Sequence, residues 1–187
     1  MDSIFDQMVA KYTVQTNADK LNAYHEVMQE ITLSALNRAG FFNKAAFYGG
    51  TCLRIFHKLP RFSEDMDFSL LASDPFFTLE PFFEAITHEF AGFGRAVEIS
   101  RKEKIRDSHV ESAFLKDNTA IYNVAFRTDK SVKIKIEVDK EPPLQFNTEH
   151  QLLLLPFSFM TRCFTLPSLY AGKMHALLFR NWRNRVK

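Results

Sequence analysis

One stretch of the chain, residues 47–70, constrains the fold more than any other: "FYGGTCLRIFHKLPRFSEDMDFSL". A short apolar run ends in Gly49 and Gly50, an amphipathic segment follows, and a second apolar run begins with Asp65 and Asp67. This pattern predicts a strand, a tight turn, a helix and a second strand in close succession. On a strand, the two aspartates share one face of the sheet, with Cα atoms roughly 6.6 Å apart.

The acidic pair, Asp65 and Asp67, is a candidate metal site. Two carboxylates about 4 Å apart repel by roughly 4 kcal/mol at an effective dielectric constant near 20, so the pair is stable where a divalent cation lies between them. Oxygen ligands favour Mg²⁺ or Mn²⁺, and such ions serve phosphoryl and nucleotidyl transfer. Taken alone, the pair is also consistent with two solvated acids in a turn.

The glycine turn before the acids suits a phosphate group. The backbone N–H groups of Gly49 and Gly50 can approach an anion without a Cβ atom in the way, and the N-terminus of the next helix adds positive partial charge. Thr51 is predicted to start that helix, with its hydroxyl as a cap or a phosphate donor. No Gly-Lys-Ser/Thr sequence follows, which excludes a P-loop. The further candidates for substrate binding are Arg54, Arg61 and Ser63.

A third carboxylate is predicted on the segment "SVKIKIEVD", residues 131–139. Its alternation places Lys133, Lys135, Glu137 and Asp139 on one face of a strand. Glu137 is the first candidate for a third metal ligand and for the base that takes the proton of an attacking hydroxyl. Asp139 has the same parity and remains the alternative. An exposed strand face of mixed charge explains the alternation equally well.

The rest of the sequence predicts an α+β domain. The first forty residues indicate helix ending at Gly40, and "TLEPFFEAITHEFAGFG" indicates another helix. Three segments read as antiparallel strands: "RAVEISRKEKI", "TAIYNVAFR" and "SVKIKIEVD". "HQLLLLP" and "FSFMTRCFT" read together as one strand and a linker. We expect an N-terminal helical segment at 1–40, a core at 41–165, and a C-terminal helix at 166–187 that begins a helical lobe.

The stretch "GGTCLRIFHKLPRFSEDMDFSL" resembles the first motif of the AbiEii/AbiGii-type nucleotidyltransferase toxins, in the DNA polymerase β-like superfamily. The resemblance implies a nucleotidyltransferase-like mixed sheet flanked by helices. It also implies that the turn of Gly49, Gly50 and Thr51 binds a nucleoside triphosphate (NTP), and that Asp65 and Asp67 bind Mg²⁺ or Mn²⁺. Arg61 and Ser63 match the family's approach to the acids, and the family places an acid on a strand like that of Glu137.

A second segment, "LYAGKMHALLFRNW", resembles the family's next motif, a helix with an active-site lysine. The resemblance implies that Lys173 contacts the triphosphate or the leaving pyrophosphate; a solvated lysine is the alternative. The apolar residues expected to bury one face of this helix are Leu169, Ala176, Leu177 and Phe179. Family members continue beyond a point like "NRVK" into a helical region with a further aspartate, whereas this chain stops at Lys187. Base preference and full turnover are therefore open at this stage.

The function implied by the resemblance is metal-dependent transfer of a nucleotidyl group from an NTP to an acceptor hydroxyl. The implied acceptor is RNA, such as a tRNA end, and the implied role is that of a toxin opposed by an antitoxin in a type IV toxin–antitoxin, or abortive infection, system. One alternative is a catalytically incomplete module that binds a nucleotide or a partner. Another is an α+β interaction domain whose acids are solvated.

Charge and composition exclude some classes of protein. The net charge of +2 over 187 residues gives no whole-protein field for nucleic acid. The C-terminal residues Arg180, Trp182, Arg183, Arg185 and Lys187 form a basic cluster that either grips RNA or complements the end of a helix. The acidic N-terminus argues against a signal peptide, and the longest apolar run, "LLLLPF", is too short to span a membrane. We therefore expect a cytoplasmic protein with no membrane partner.

Overall fold

The computed structural model describes residues 3–101, 119–143 and 145–179. In these ranges the helices are α1 (Ile4–Val9), α2 (Asn17–Arg38), α3 (Gly49–His57), α4 (Phe83–Gly92) and α5 (Leu166–Phe179). The strands are β1 (Ala45–Tyr48), β2 (Asp65–Leu70), β3 (Val97–Arg101), β4 (Thr119–Phe126), β5 (Lys133–Asp139), β6 (Thr148–Leu153) and β7 (Phe159–Phe164). Helices and one sheet therefore share a single α+β fold, as the sequence predicts.

The N-terminal segment is helical, with an interruption between α1 and α2. Helix α2 begins at a capping box, in which the Thr16 hydroxyl accepts the backbone N–H of Asp19 and the Asp19 carboxylate accepts the backbone N–H of Thr16. Gly40 has a φ of 74°, in the left-handed region, and the chain leaves the helix there. Much of α2 is buried in the same apolar core as the sheet. The domain boundaries after residues 40 and 165 stay predictions.

The described strands form one mixed sheet in the order β3-β4-β5-β2-β1-β7-β6. Neighbours β3, β4 and β5 are antiparallel, as are the pairs β1–β2 and β6–β7. The pairs β2–β5 and β1–β7 are parallel. The three antiparallel strands predicted after residue 95 are thus confirmed, and the central strands are those of the glycine–aspartate unit.

One face of the sheet is packed with apolar side chains. Burial alternates along β4 and β5, so that every second residue enters the core. Phenylalanine rings dominate this core: the centroids of Phe47 and Phe68 lie 5.1 Å apart, and those of Phe41 and Phe68 lie 5.0 Å apart. The residues between these buried ones along the central strands point to the other face of the sheet. They include Asp65, Asp67 and Glu137. We call this second face the open face.

Two expectations about the C-terminal part are wrong. The segment read as a linker is strand β7, which pairs with both β1 and β6. Buried and exposed side chains alternate along β7, but hydropathy does not show this alternation. The fully buried residues include the polar Thr161 and the small Cys163, whereas the apolar Met160 is 45% exposed. Helix α5 buries Leu169 but leaves Leu177 and Phe179 exposed. The face expected to be buried is therefore largely on the surface, since only the first turn of α5 reaches the core.

Candidate active site

The two aspartates of β2 lie on the open face, and β5 brings a third carboxylate beside them. In the parallel pairing of β2 with β5, Asp67 is the register partner of Glu137, and Asp139 is the partner of Ser69. Side chains of register partners leave the sheet on the same face and stand next to each other. The register therefore places Glu137, rather than Asp139, beside Asp67.

A lysine on the same strand lies between two of the acids. The Lys135 ammonium is 2.7 Å from Oε1 of Glu137 and 3.0 Å from Oδ2 of Asp65. Burial alone would lower the pKa of Lys135, but its hydrogen bonds to Glu137 and Asp65 outweigh that effect and raise it. Lys135 is thus a permanent cation at neutral pH, and it neutralises part of the negative charge of the cluster.

Asp67 is the most perturbed acid of the group. Its pKa is raised from the ordinary value of 3.8 to about 6, first by burial and then by the negative charges of Glu137 and Asp65. The ammonium groups of Lys173 and Lys135 act in the opposite direction. Uncompensated negative charge is therefore concentrated at Asp67, which is the condition under which a bound cation gains most.

The glycine turn lies directly against Asp67. Helix α3 begins at Gly49, whose φ of 83° is in the left-handed region that favours glycine. A Cβ atom at Gly49 would lie 2.8 Å from Cγ of Asp67 and would overlap a carboxylate oxygen. Strand β1 ends at Tyr48, the register partner of Asp67, so the turn and the acid meet at the same edge. The start of α3 and the carboxylates therefore border one space.

The prediction that Thr51 starts the helix is wrong by two residues. Helix α3 begins at Gly49, and no side chain caps it. Thr51 is fully buried, and its hydroxyl donates a hydrogen bond to the backbone carbonyl of Asp65. Thr51 therefore ties α3 to the first residue of β2 and fixes the turn relative to the acids. Its role in binding a phosphate stays a prediction.

Two predicted site residues from different segments, Ser63 and Lys173, converge at Gly50. A Cβ atom placed on Gly50 would lie 3.3 Å from Oγ of Ser63 and 3.8 Å from Nζ of Lys173. Ser63 is held in place through its backbone carbonyl, which accepts a hydrogen bond of 2.7 Å from the buried amide of Gln29. Helix α5 thus carries its lysine to the start of α3, where a hydroxyl and backbone N–H groups also lie.

The predicted substrate-binding residue Arg54 is engaged in structural contacts. Its guanidinium lies 2.9 Å from Glu26, donates to the backbone carbonyls of Leu59 and Pro60, and stacks 4.0 Å from the ring centroid of Phe62. These contacts hold the loop that leads to Ser63. Arg54 therefore stabilises the loop that carries Ser63, and its direct contact with a substrate stays a prediction.

Arg61 lies on that same loop and is exposed. Within the ranges that the structure covers, no hydrogen bond or ion pair engages its guanidinium, so it is available to an anionic ligand. The predicted basic cluster at residues 180–187 lies outside the described residues. The sequence also has a second basic stretch, "RKEKIR" at 101–106, and its residues 102–106 lie outside the described residues too.

The donor set fits a divalent cation. Asp65, Asp67 and Glu137 offer the hard oxygen ligands that Mg²⁺ and Mn²⁺ prefer, and the pKa of Asp67 is raised by burial and then by the charges of the other two acids. Among the described residues, no three His, Cys, Asp or Glu side chains are close enough together to hold a metal ion as they stand. Instead, two of the acids contact Lys135. Metal binding therefore requires those carboxylates to turn away from its ammonium.

Sequence reasoning missed the ion pairs of Lys135. A lysine on the same strand face as two acids is visible in "KIKIEVD". That alternation reads equally well as a solvated face, and only the pairing of β5 with β2 brings Lys135 to Asp65.

Comparison with known protein families finds a match to most of the chain. The family described as "Nucleotidyl transferase AbiEii toxin, Type IV TA system" matches residues 31–187. No curated protein matches the chain. Within the described segments, no helix has both the length and the apolar character that crossing a membrane requires.

Solved structures resemble the fold. MenT4, a nucleotidyltransferase toxin from Mycobacterium tuberculosis H37Rv, is 21% identical with a TM-score of 0.60; the match covers 90% of this chain and 57% of MenT4. JHP933 from Helicobacter pylori is 16% identical with a TM-score of 0.49, and the match covers 87% of this chain and 59% of that one. The chain thus spans little more than half the length of these relatives. Because the family match extends over most of the sequence, the chain belongs to the AbiEii nucleotidyl transferase toxin family of type IV toxin–antitoxin systems.

Proposed function

We propose that the chain carries a metal-dependent nucleotidyltransferase site that transfers a nucleotidyl group from an NTP to an acceptor hydroxyl, with RNA as the acceptor. In this proposal the protein acts in the cytoplasm as a toxin and is opposed by an antitoxin. The observation that carries the proposal is the register of β2 with β5, which sets Asp67 beside Glu137. Asp67 also contacts the glycine turn at the start of α3.

The residues divide the work between the metal and the phosphates. Asp65, Asp67 and Glu137 would hold the divalent cation, which when bound neutralises charge on the reacting phosphate. The backbone N–H groups at Gly49 and Gly50 would face the triphosphate, as helix N-termini commonly do. Lys173 would place its ammonium on the β- or γ-phosphate, and Ser63 would donate its hydroxyl nearby.

The transfer step conserves atoms and charge. The oxygen of the acceptor hydroxyl forms a bond to the α-phosphorus, and the bond from that phosphorus to the bridging oxygen of the β-phosphate breaks. Pyrophosphate leaves with the bridging oxygen, and Lys173 stabilises its developing charge. The proton of the acceptor hydroxyl passes to the carboxylate of Glu137, which acts as the general base.

Transfer of label from NTPs radiolabelled at the α-phosphate to RNA tests the proposal. Asp65→Asn, Asp67→Asn and Glu137→Gln should each lower transfer at least about 100-fold, with circular dichroism unchanged. Asp139→Asn should retain transfer, because Asp139 pairs with Ser69 further along the sheet. Glu84→Gln, an exposed acid on α4, is a second control. Normal transfer by the Asp67 variant would overturn the assignment.

One observation favours a second candidate, a nucleotide-binding module without catalysis. Lys135 already neutralises two of the three acids, as it would in a site that binds phosphates without a metal. Calorimetric titration with an NTP, with and without Mg²⁺, separates the two. Equal affinity in both buffers, together with no transfer to any RNA, would support the module over the enzyme.

A further inference from the structure

A row of aromatic rings continues the acid row across the open face. Tyr48 on β1 is the register partner of Asp67. Because Phe47 is the partner of Cys163 in the parallel pair β1–β7, Phe164 lies next to Tyr48 on the following strand. The rings of Tyr48 and Phe164 are stacked, with centroids 5.1 Å apart and an interplanar angle of 25°. The aromatic row therefore starts immediately beside the carboxylates.

The row ends at Phe146, whose ring stacks on Phe164. The two centroids are 4.6 Å apart, and the rings are nearly parallel at 17°. Phe164 is buried, whereas Phe146 is only partly buried. Phe146 also lines a cavity of about 470 Å³ that opens to solvent, a volume within the range of small-ligand sites. The ring of Phe146 thus packs on Phe164 and also contributes to the lining of this cavity.

The other lining residues of this cavity are polar. They are Gln145, Asn147 and Ser168. The backbone N–H of Asn147 donates to Oγ of Ser168 at 3.1 Å, and the backbone carbonyl of Asn147 accepts from the N–H of Thr165 at 2.9 Å. The loop backbone is therefore fixed to the start of α5. Over the described ranges, no hydrogen bond engages the side-chain amides of Gln145 and Asn147, and each amide offers both donors and an acceptor.

Phe164, on which Phe146 stacks, lies next to Tyr48, the residue before the glycine turn. Neighbouring strands are about 4.8 Å apart, so β7 lies roughly 10 Å from β2, which carries Asp67. A nucleoside triphosphate is long enough to bridge this span, with its phosphates at Gly49 and Gly50 and its base beyond Tyr48. A flat apolar surface together with free amide groups matches the chemistry of a nucleobase, which stacks by its face and hydrogen-bonds by its edge.

We propose that this cavity binds the nucleobase of the NTP, with Phe146 as the stacking surface and the amides of Gln145 and Asn147 contacting the base edge. The proposal rests on the proposed function, because it takes the phosphates to lie at the glycine turn. In this proposal, the loop before β6 and the first turn of α5 determine which base is bound. The terminal base of the acceptor RNA has the same chemistry, and the experiment distinguishes it from the base of the NTP as the occupant of the cavity.

The test measures binding of ligands with and without a base. The affinities of the four NTPs and of inorganic triphosphate are determined by calorimetry in the absence of RNA. Phe146→Leu keeps an apolar side chain but removes the aromatic face, and should weaken NTP binding about tenfold. The same variant should bind inorganic triphosphate as the unmodified protein does. Phe76→Leu, at a ring that is 90% exposed elsewhere, should change neither affinity.

A second variant tests the base site without changing the packing of Phe146 on Phe164. Asn147→Ala leaves the backbone hydrogen bonds of the loop in place, and should change the ratio of affinities among the four NTPs by at least about threefold without affecting inorganic triphosphate. If both variants bind all four NTPs as the unmodified protein does, the base site is refuted while the nucleotidyltransferase assignment stands. A separate titration of Phe146→Leu with RNA covers the acceptor base: loss of RNA affinity with unchanged NTP affinity would assign the cavity to that base and also refute the proposal. If the unmodified protein binds neither NTPs nor triphosphate, the proposed function itself fails.

Discussion

Gly49 and Asp67 are in such close contact that no side chain fits between them. The missing Cβ of Gly49 would fall 2.8 Å from Cγ of Asp67, and the φ of 83° at Gly49 is one that other residues rarely adopt. The contact joins the start of α3 to the acid of the cluster whose pKa is raised by burial. The glycine turn and the candidate metal ligands are therefore fixed relative to each other.

Gly49→Ala should disrupt this contact. Strain from the positive φ should cost about 1–3 kcal/mol of unfolding free energy, and displacement of the Asp67 carboxylate should lower nucleotidyl transfer about 100-fold. Urea denaturation and the label-transfer assay measure the two effects. Gly92→Ala is the matched control, because a Cβ there meets nothing within 4 Å. Full activity in Gly49→Ala would show that the contact with Asp67 is dispensable.

Lys135→Gln should make the stability of the fold more sensitive to a divalent cation. Without the ammonium, the charges of Asp65 and Glu137 lose their partner, and the unfolding free energy in metal-free buffer should fall by about 1 kcal/mol. Added Mn²⁺ should then stabilise the variant more than the unmodified protein, because no ammonium competes for the acids. Thermal unfolding in EDTA and in Mn²⁺ measures both effects.

Lys133→Gln is the control for this experiment, since Lys133 lies on the same strand but forms no ion pair within the described part of the chain. It should respond to Mn²⁺ as the unmodified protein does. Equal stabilisation of all three proteins by Mn²⁺ would mean that Lys135 does not compete with a metal.

Glu30 should make stability fall as the pH rises. Burial, followed by the charge of Glu26, raises the pKa of Glu30 from 4.5 to about 8 in the folded protein. Between these two pH values the unfolded chain releases a proton that the folded chain keeps, so the unfolding free energy decreases with increasing pH. Glu30→Gln removes this titration, and should be more stable than the unmodified protein by a few kcal/mol at pH 8.

Denaturation curves for both proteins between pH 5 and about 8.5 test this prediction. The two should be similar in stability at pH 5, where Glu30 is uncharged in the folded state. A difference that is independent of pH would contradict the raised pKa of Glu30.

The strands that carry the site could be predicted from the sequence. The spacing of Asp65 and Asp67 before an apolar run, and the alternation through Glu137 and Asp139, each fix which side chains share a face. The sequence predicts the start of the helix after the glycine turn two residues too late, because a threonine resembles a helix cap even where its hydroxyl bonds a neighbouring strand.

The choice between Glu137 and Asp139 could not be made from sequence. Both have the same parity, and only the pairing of β5 with a strand more than sixty residues earlier decides which one faces Asp67. The partners of Arg54 and Lys135 depend on the same long-range packing. The stacking of Phe146 on Phe164 likewise depends on the position of β7, whose pairing the sequence pattern does not reveal.

A crystal structure with Mn²⁺ and a non-hydrolysable NTP, with anomalous scattering to locate the metal, tests the assignment of the site most directly. We expect a Mn²⁺ peak at Asp65 and Asp67, with Glu137 turned toward it and the Lys135 ammonium displaced. The triphosphate should lie against the N–H groups at Gly49 and Gly50. A nucleotide bound there with the Lys135 ion pairs intact and no metal at Asp65 and Asp67 would contradict the assignment.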